Sequence, residues 1–126
     1  MRVLIIDDEA NIRRLTAVAL EGMGHETADA EDGEAALEQL AAAHFDAAFL
    51  DLRLERENGM DLLPKLLLRS PDLEIIVFSA HASAADAAQA RRAGAAGFMA
   101  KPFSPDQMRQ ALGALPAGPG HLRAVD

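Results

Sequence analysis

Five short apolar runs, each followed by a segment with helical spacing, constrain the fold of this chain more than any other feature. Val3-Leu4-Ile5-Ile6 is unbroken and aliphatic, the pattern of a strand buried on both faces. It stops at Asp7-Asp8-Glu9. From Glu9 to Met23, the residues Ile12, Leu15, Thr16, Val18, Ala19 and Met23 recur at helical spacing, and Gly22 and Gly24 supply the stop. His25 to Asp29 predicts a weak, polar strand near an edge. Asp32-Gly33 is a turn with Asp32 as N-cap, and Ala35, Ala36, Leu37, Leu40 and Ala41 form the second helix. Phe45 to Leu50 is the third strand and ends at Asp51. Arg53 to Asn58 is polar and loop-like. Gly59 to Arg69 predicts a third helix that tolerates Pro64 in its first turns, and Ser70-Pro71-Asp72 breaks it. Leu73 to Ser79 is the clearest buried strand. Ala82 to Ala93 is an Ala-rich helix ended by Gly94, and Ala96 to Ala100 is a fifth strand before Lys101-Pro102. Ser104 as N-cap and Pro105 at the first helical position open a last helix that runs to about Leu115.

Strict alternation with short loops implies a parallel sheet covered by helices on both faces. About 115 residues are too few for an eightfold barrel. The expected architecture is therefore α/β, a single five-stranded doubly wound sheet over residues 1–115. Pro116 to Gly120 is a breaker cluster, and 116–126 reads as a tail or the start of a linker.

Composition narrows the function. Half of the 126 residues are hydrophobic and 25% are charged, a share that supports one core and argues against disorder. Twelve Lys and Arg against 20 Asp and Glu give a net charge of −8. With no basic cluster, such a chain is unsuited to direct nucleic-acid binding, which depends on neutralising phosphates. Cysteine is absent, which excludes disulfides, thiol catalysis and Cys-based zinc sites and suits a reducing compartment. No apolar run approaches the roughly 20 residues needed to cross a bilayer, and Met1 to Ile6 runs at once into acidic residues, unlike a signal peptide. The expectation is a soluble, cytoplasmic chain without membrane contact.

In a doubly wound sheet, function sits at the carboxyl ends of the strands. The first strand ends at Asp7-Asp8-Glu9, the third at Asp51, the fourth at Ser79 and the fifth at Lys101. Each has an ordinary alternative: helix N-terminal charges favoured by the dipole, a cap at Asp51, a loop hydroxyl, a Lys-Pro turn. Their conjunction on one edge is what singles them out. Adjacent carboxylates repel and raise one another's pKa unless a cation intervenes, and a hard divalent ion such as Mg²⁺ suits carboxylate and carbonyl oxygen. Three carboxylates against Mg²⁺ and a lysine balance in formal charge. Such a site can receive a phosphoryl group, with Mg²⁺, Lys101 and the Ser79 hydroxyl on its oxygens.

Four segments carry a family resemblance: Val3 to Glu9; Phe49 to Leu54 with Asn58-Gly59-Met60; Val77-Phe78-Ser79-Ala80; and Gly97 to Phe103. Over roughly residues 1–115 the chain resembles the response-regulator receiver domain of two-component signalling. Ser79 to Ala82 and Lys101 to Gln107 look most like NtrC-type receivers. The resemblance implies a flavodoxin-like (βα)5 fold with strand order 2-1-3-4-5. It implies that Asp51 accepts a phosphoryl group from a histidine kinase or phosphotransfer protein. Asp8 would bind Mg²⁺ directly and Asp7 through water, with Asp51 and the Arg53 backbone carbonyl completing the protein ligands. Ser79 and Lys101 would contact the phosphoryl oxygens, and Phe98 occupies the aromatic switch position. A cis bond is expected at Lys101-Pro102.

The implied role is a switch rather than an enzyme, limited to self-phosphorylation and slow self-dephosphorylation. Its surface of fourth helix, fifth strand and fifth helix would control a downstream effector, transcription regulation in the first instance, and a homodimer formed on phosphorylation is compatible with it. A stand-alone receiver working by protein contacts is the alternative output. One departure stands out. The family usually carries Pro four residues after the acceptor, where this chain has Glu55, followed by Arg56 and Glu57; a more mobile, more charged loop is expected there.

Other readings fit less well. A flavodoxin-like flavin or nucleotide binder needs a Ser/Thr/Gly-rich loop after the first strand, where Asp7-Asp8-Glu9 repels phosphate. An aspartyl-phosphate phosphatase needs a second Asp two residues after the first, where Arg53 stands. A pseudo-receiver is argued against by the intact Asp8, Asp51, Ser79 and Lys101. His25, His44, His81 and His121 show no metal-ligand spacing; His81, two residues past Ser79, is placed to overhang a phosphoryl group. Arg91-Arg92 reads as a solvated helix face.

Overall fold

Strand and helix alternate without exception as β1 (Arg2–Ile6), α1 (Ala10–Gly22), β2 (Glu26–Ala30), α2 (Gly33–Ala42), β3 (Ala47–Asp51), α3 (Gly59–Arg69), β4 (Glu74–Ser79), α4 (Ala84–Arg92), β5 (Gly97–Ala100) and α5 (Pro105–Gly113). This is a computed structural model, and it describes residues 1–80 and 83–115. The expectations for His81, for Ala82 as a helix start, for His121 and for the 116–126 tail lie outside the described residues. All four strand pairings are parallel, and the sheet order is β2-β1-β3-β4-β5. The expected doubly wound (βα)5 architecture is therefore the observed one.

Because successive strand side chains point to opposite faces, the sheet splits the core in two. Leu4, Ile6, Ala48, Leu50, Ile75 and Val77 face Ala36, Leu62, Leu63, Leu66 and Ala90 of α2, α3 and α4. Val3, Ile5, Ala47, Phe49, Ile76 and Phe78 face Leu20, Met108 and Leu112 of α1 and α5. β3 is buried at all five positions, as a central parallel strand must be. β2 pairs only with β1 and is exposed or half-buried at four of its five positions, which explains its weak, polar sequence.

The caps follow the sequence closely. Asp32 Oδ1 accepts from the Ala35 N–H at 2.8 Å. Ser104 and Gln107 form a reciprocal capping box with Pro105 at the first helical position. Ser83 caps α4 through the Asp86 N–H. Pro64 lies inside α3 but is exposed, so the backbone bond it removes is lost on the solvent side. Two details refine the sequence reading. Leu15 and Val18 are 67% and 62% exposed: at 100° per residue the inward stripe of α1 is set by Thr16 and Leu20, and Leu15 and Val18 fall outside it. α5 ends at Gly113, short of Leu115.

Candidate functional site

The carboxyl edge of the sheet gathers the strand-end residues. Asp7 follows β1 and is fully buried, Asp51 closes β3 at 4% exposure, and Ser79 closes β4 at 1%. Asp8 is half-buried and Glu9 exposed, so the acidic triplet divides: two residues turn to the site and the third leads into α1. One carboxylate oxygen from each of Asp7, Asp8 and Asp51 lies within 4.8 Å of the others. Lys101 Nζ enters between them, donating to Asp7 Oδ2 at 2.9 Å and to Asp51 Oδ2 at 3.2 Å.

The fold places Lys101 by several contacts. Its backbone N–H donates to the Ser79 carbonyl at 2.9 Å, which joins the ends of β4 and β5. Its ammonium sits 4.8 Å from the centroid of the Phe78 ring, within cation–π range. Phe78 packs edge-on to Phe103 and Phe49 at 5.4 and 6.1 Å, so three rings support the lysine. The Lys101-Pro102 bond is cis, as expected.

Burial governs the electrostatics. Desolvation lifts the Asp51 carboxyl above the ordinary carboxylate range, against the opposing pull of the Arg53 N–H and the Lys101 ammonium. For Lys101, burial alone would lower the pKa, but its hydrogen bond to Asp7 and its attraction to Asp51 prevail and raise it. The lysine therefore stays charged, and it only partly offsets the carboxylates around it. Oxygen donors alone, with net negative charge and geometry open on the Asp8 side, suit a hard divalent cation. The cluster can hold a metal.

Arg53 is exposed at the start of the β3–α3 loop, and its N–H donates to Asp51 Oδ1 at 3.1 Å. That loop closes on itself: Arg53 and Asn58 form an antiparallel bridge, and the Gly59 N–H donates to the Leu52 carbonyl at 2.8 Å. A Cβ on Gly59 would stand 2.5 Å from the Asp51 carbonyl oxygen, so only glycine lets α3 start this close to the end of β3. Phe98 on β5, opposite Val77 of β4, is half-buried against the α2–α3–α4 side of the core. Ser79 lines a polar cavity of about 500 Å³ that also touches Arg53, Asn58 and Asp86.

Two residues with structural claims on the site escaped the sequence reading. Arg13 donates to the Asp7 carbonyl at 2.7 Å and pairs with Asp29 at 2.9 Å, bracing the end of β1. A basic residue one turn into the helix after an acidic strand end was the available signal. Glu57 accepts from the Gly33 N–H at 2.8 Å, a contact across 24 residues that no local pattern announces. The loop expected to be loose is tied down at this point.

The topology and the acidic, lysine-bearing carboxyl edge define a class of doubly wound α/β domain with a charged site at its strand ends. The chain belongs to the response regulator receiver domain family, whose model matches residues 3–113. Over 110 residues it is 39% identical to the alginate biosynthesis transcriptional regulatory protein AlgB of Pseudomonas putida, covering 87% of this chain and 25% of that protein. The receiver domain of NtrX from Brucella abortus superposes with a TM-score of 0.84 at 35% identity, over 92% of this chain and 99% of that one. A response regulator from Burkholderia pseudomallei, solved with a phosphorylated aspartic acid, a calcium ion and citrate, gives a TM-score of 0.84 at 29% identity, over 98% of this chain and 70% of that one. The relatives agree with the NtrC-type character of the motifs. The chain spans about a quarter of the length of the curated relatives it matches.

Proposed function

We propose that residues 1–115 form a phosphorylation-activated switch in which Asp51 accepts a phosphoryl group from a histidine kinase or phosphotransfer protein. The observation that carries this reading is the Asp51 carboxylate at the end of β3, 3.2 Å from Lys101 Nζ and within 4.8 Å of the Asp7 and Asp8 oxygens. An Asp51 oxygen attacks phosphorus, the bond to the donor histidine nitrogen breaks, and the imidazole leaves with the electron pair. Lys101 stabilises charge on the transferring oxygens from a position fixed in advance, and the Ser79 hydroxyl contacts them once it has turned toward the group. Asp8, Asp7, Asp51 and the Arg53 carbonyl are the residues that would hold Mg²⁺, which supplies neutralisation of that charge when bound. Self-dephosphorylation is the only other chemistry assigned to the site.

A docking face for the donor adjoins it. Ile12, Leu15, Phe103 and Met108 line a mostly apolar groove of about 530 Å³ that reaches Lys101. An apolar helix of the phosphodonor seated there would bring its histidine toward Asp51, and this gives the exposed Leu15 a purpose.

Phosphorylation adds charge and acceptor oxygens at Asp51. Ser79 then turns toward the phosphoryl group, and Phe98 moves into the space released, which alters the α4-β5-α5 surface by population shift. The output is control of a transcription-regulating effector, with homodimerisation through that surface as its means; a stand-alone receiver acting by protein contact is the second reading. Cytoplasmic placement and the lack of nucleic-acid contact belong to the same proposal. Among the described residues no helix is long and apolar enough to cross a membrane.

Acetyl phosphate with Mg²⁺ tests the reading. Intact-mass analysis should show one added phosphoryl group that requires Mg²⁺ and is lost in Asp51→Asn. Addition that persists in Asp51→Asn sinks it.

A further inference from the structure

We infer that Glu57 is a positioning residue for the phosphoryl site, holding the β3–α3 loop at the geometry in which Arg53 serves Asp51 and the metal. The inference rests on the reading of the site given above. Where the family's usual proline would stiffen the loop, this chain has Glu55, exposed to solvent. The loop is fixed by other means. Leu54 is buried at 8% exposure in the α2–α3–α4 core, and the Arg53–Asn58 bridge closes the base. Glu57 supplies the remaining anchor, its Oε2 accepting from the Gly33 N–H at 2.8 Å.

The chemistry of that anchor is favourable on two counts. Gly33 is the first residue of α2, next to the Asp32 cap, and its N–H belongs to the set a helix leaves unpaired. A carboxylate there forms a charge-assisted bond and meets the positive end of the helix dipole. Glycine gives the carboxylate its close approach to this N–H. A Cβ on residue 33 would collide with the Glu57 carboxylate and stand 2.8 Å from Leu62 Cδ1. The pair Gly33–Glu57 thus works as a unit that ties the loop to a helix on the neighbouring edge. Arg53 lies four residues from the anchor, with its N–H on Asp51 Oδ1 at 3.1 Å.

The test compares wild type, Glu57→Ala, Glu57→Gln, Gly33→Ala and the Gly33→Ala/Glu57→Ala double variant. Mg²⁺ affinity is read from amide chemical shifts, and amide hydrogen exchange is measured without metal. Removing groups that orient ligands weakens metal sites by about tenfold or more, so Glu57→Ala should bind Mg²⁺ about tenfold more weakly. Glu57→Gln, which keeps an acceptor oxygen, should stay near wild type. Gly33→Ala, which keeps the N–H and crowds only the movable tips of Glu57 and Leu62, should lose less than Glu57→Ala, and the double variant should lose no more than Glu57→Ala alone. Exchange at the Arg53 amide should speed up in Glu57→Ala even without Mg²⁺. Wild-type affinity and unchanged Arg53 exchange in Glu57→Ala overturn the inference alone. Mg²⁺ that shifts no amide near Asp7, Asp8 and Asp51 in the wild type overturns the reading beneath it.

Discussion

Replacing Lys101 by methionine removes the ammonium that sits over Phe78 but keeps most of the aliphatic stem. In the native fold Nζ is 2.9 Å from Asp7 and 3.2 Å from Asp51, and the lysine side chain is only 13% exposed. At an effective dielectric near 20, each contact carries roughly 5–6 kcal/mol of attraction. Desolvation offsets much of that, yet removing one partner from a buried pair still costs about 3–5 kcal/mol, because the other charge is left stranded. Lys101→Met should therefore lose about 3 kcal/mol in metal-free buffer at neutral pH, or roughly 10–15 °C in Tm for a domain of this size. Two further readouts distinguish this from a packing defect. Asp51 already has a raised pKa because it is buried, and losing the ammonium raises it further. A carboxyl whose folded pKa exceeds its unfolded value leaves stability intact below the unfolded pKa and erodes it as pH rises through the folded one. The Lys101→Met deficit should therefore be smallest in acid and grow toward neutral pH. Mg²⁺ should also restore more stability to the variant than it adds to wild type. Urea titrations followed by circular dichroism, in acidic and neutral buffer with and without Mg²⁺, measure all three. A deficit below about 1 kcal/mol, or one indifferent to both pH and Mg²⁺, refutes the reasoning.

Other substitutions test separate parts of the account. Asp51→Asn removes the buried charge at near-constant volume, so its stability relative to wild type should improve as pH rises from acidic to neutral; paired melts across that range check the slope. Gly59→Ala sets a Cβ 2.5 Å from the Asp51 carbonyl oxygen and 2.7 Å from Leu52 Cα, both rigid backbone, and should cost about 1–3 kcal/mol while slowing acetyl-phosphate labelling. Ser104→Ala breaks the α5 capping box and should cost about 1 kcal/mol, with labelling unchanged.

Much of this was legible in the chain because local chemistry and tertiary need coincide. The buried parallel strands announced themselves as continuous aliphatic runs, and the parallel order brought their final residues to one edge. Asp7, Asp51, Ser79 and Lys101 were found by that rule. The limits are equally physical. Leu15 and Val18 share the helical period of α1 without sharing its buried face, since residue type alone does not say which side of a wide apolar stripe meets the sheet. The loop after Asp51 looked loose because nothing in Glu55-Arg56-Glu57 prefers a fixed shape. One of its ties is to the Gly33 N–H, 24 residues away in sequence and adjacent only after folding. Arg13 was missed for a related reason: its partners are a carbonyl and an edge-strand aspartate brought to it by the fold.

The central claim is that charge geometry makes Asp51, and no neighbouring carboxylate, the phosphoryl acceptor. The most direct measurement is to label the protein with acetyl phosphate and Mg²⁺, trap the acyl phosphate by borohydride reduction to the alcohol, and locate the reduced residue by peptide mass spectrometry. The account predicts reduction at Asp51 alone. Label on Asp7 or Asp8, or label that survives at a hydroxyl side chain, would contradict it.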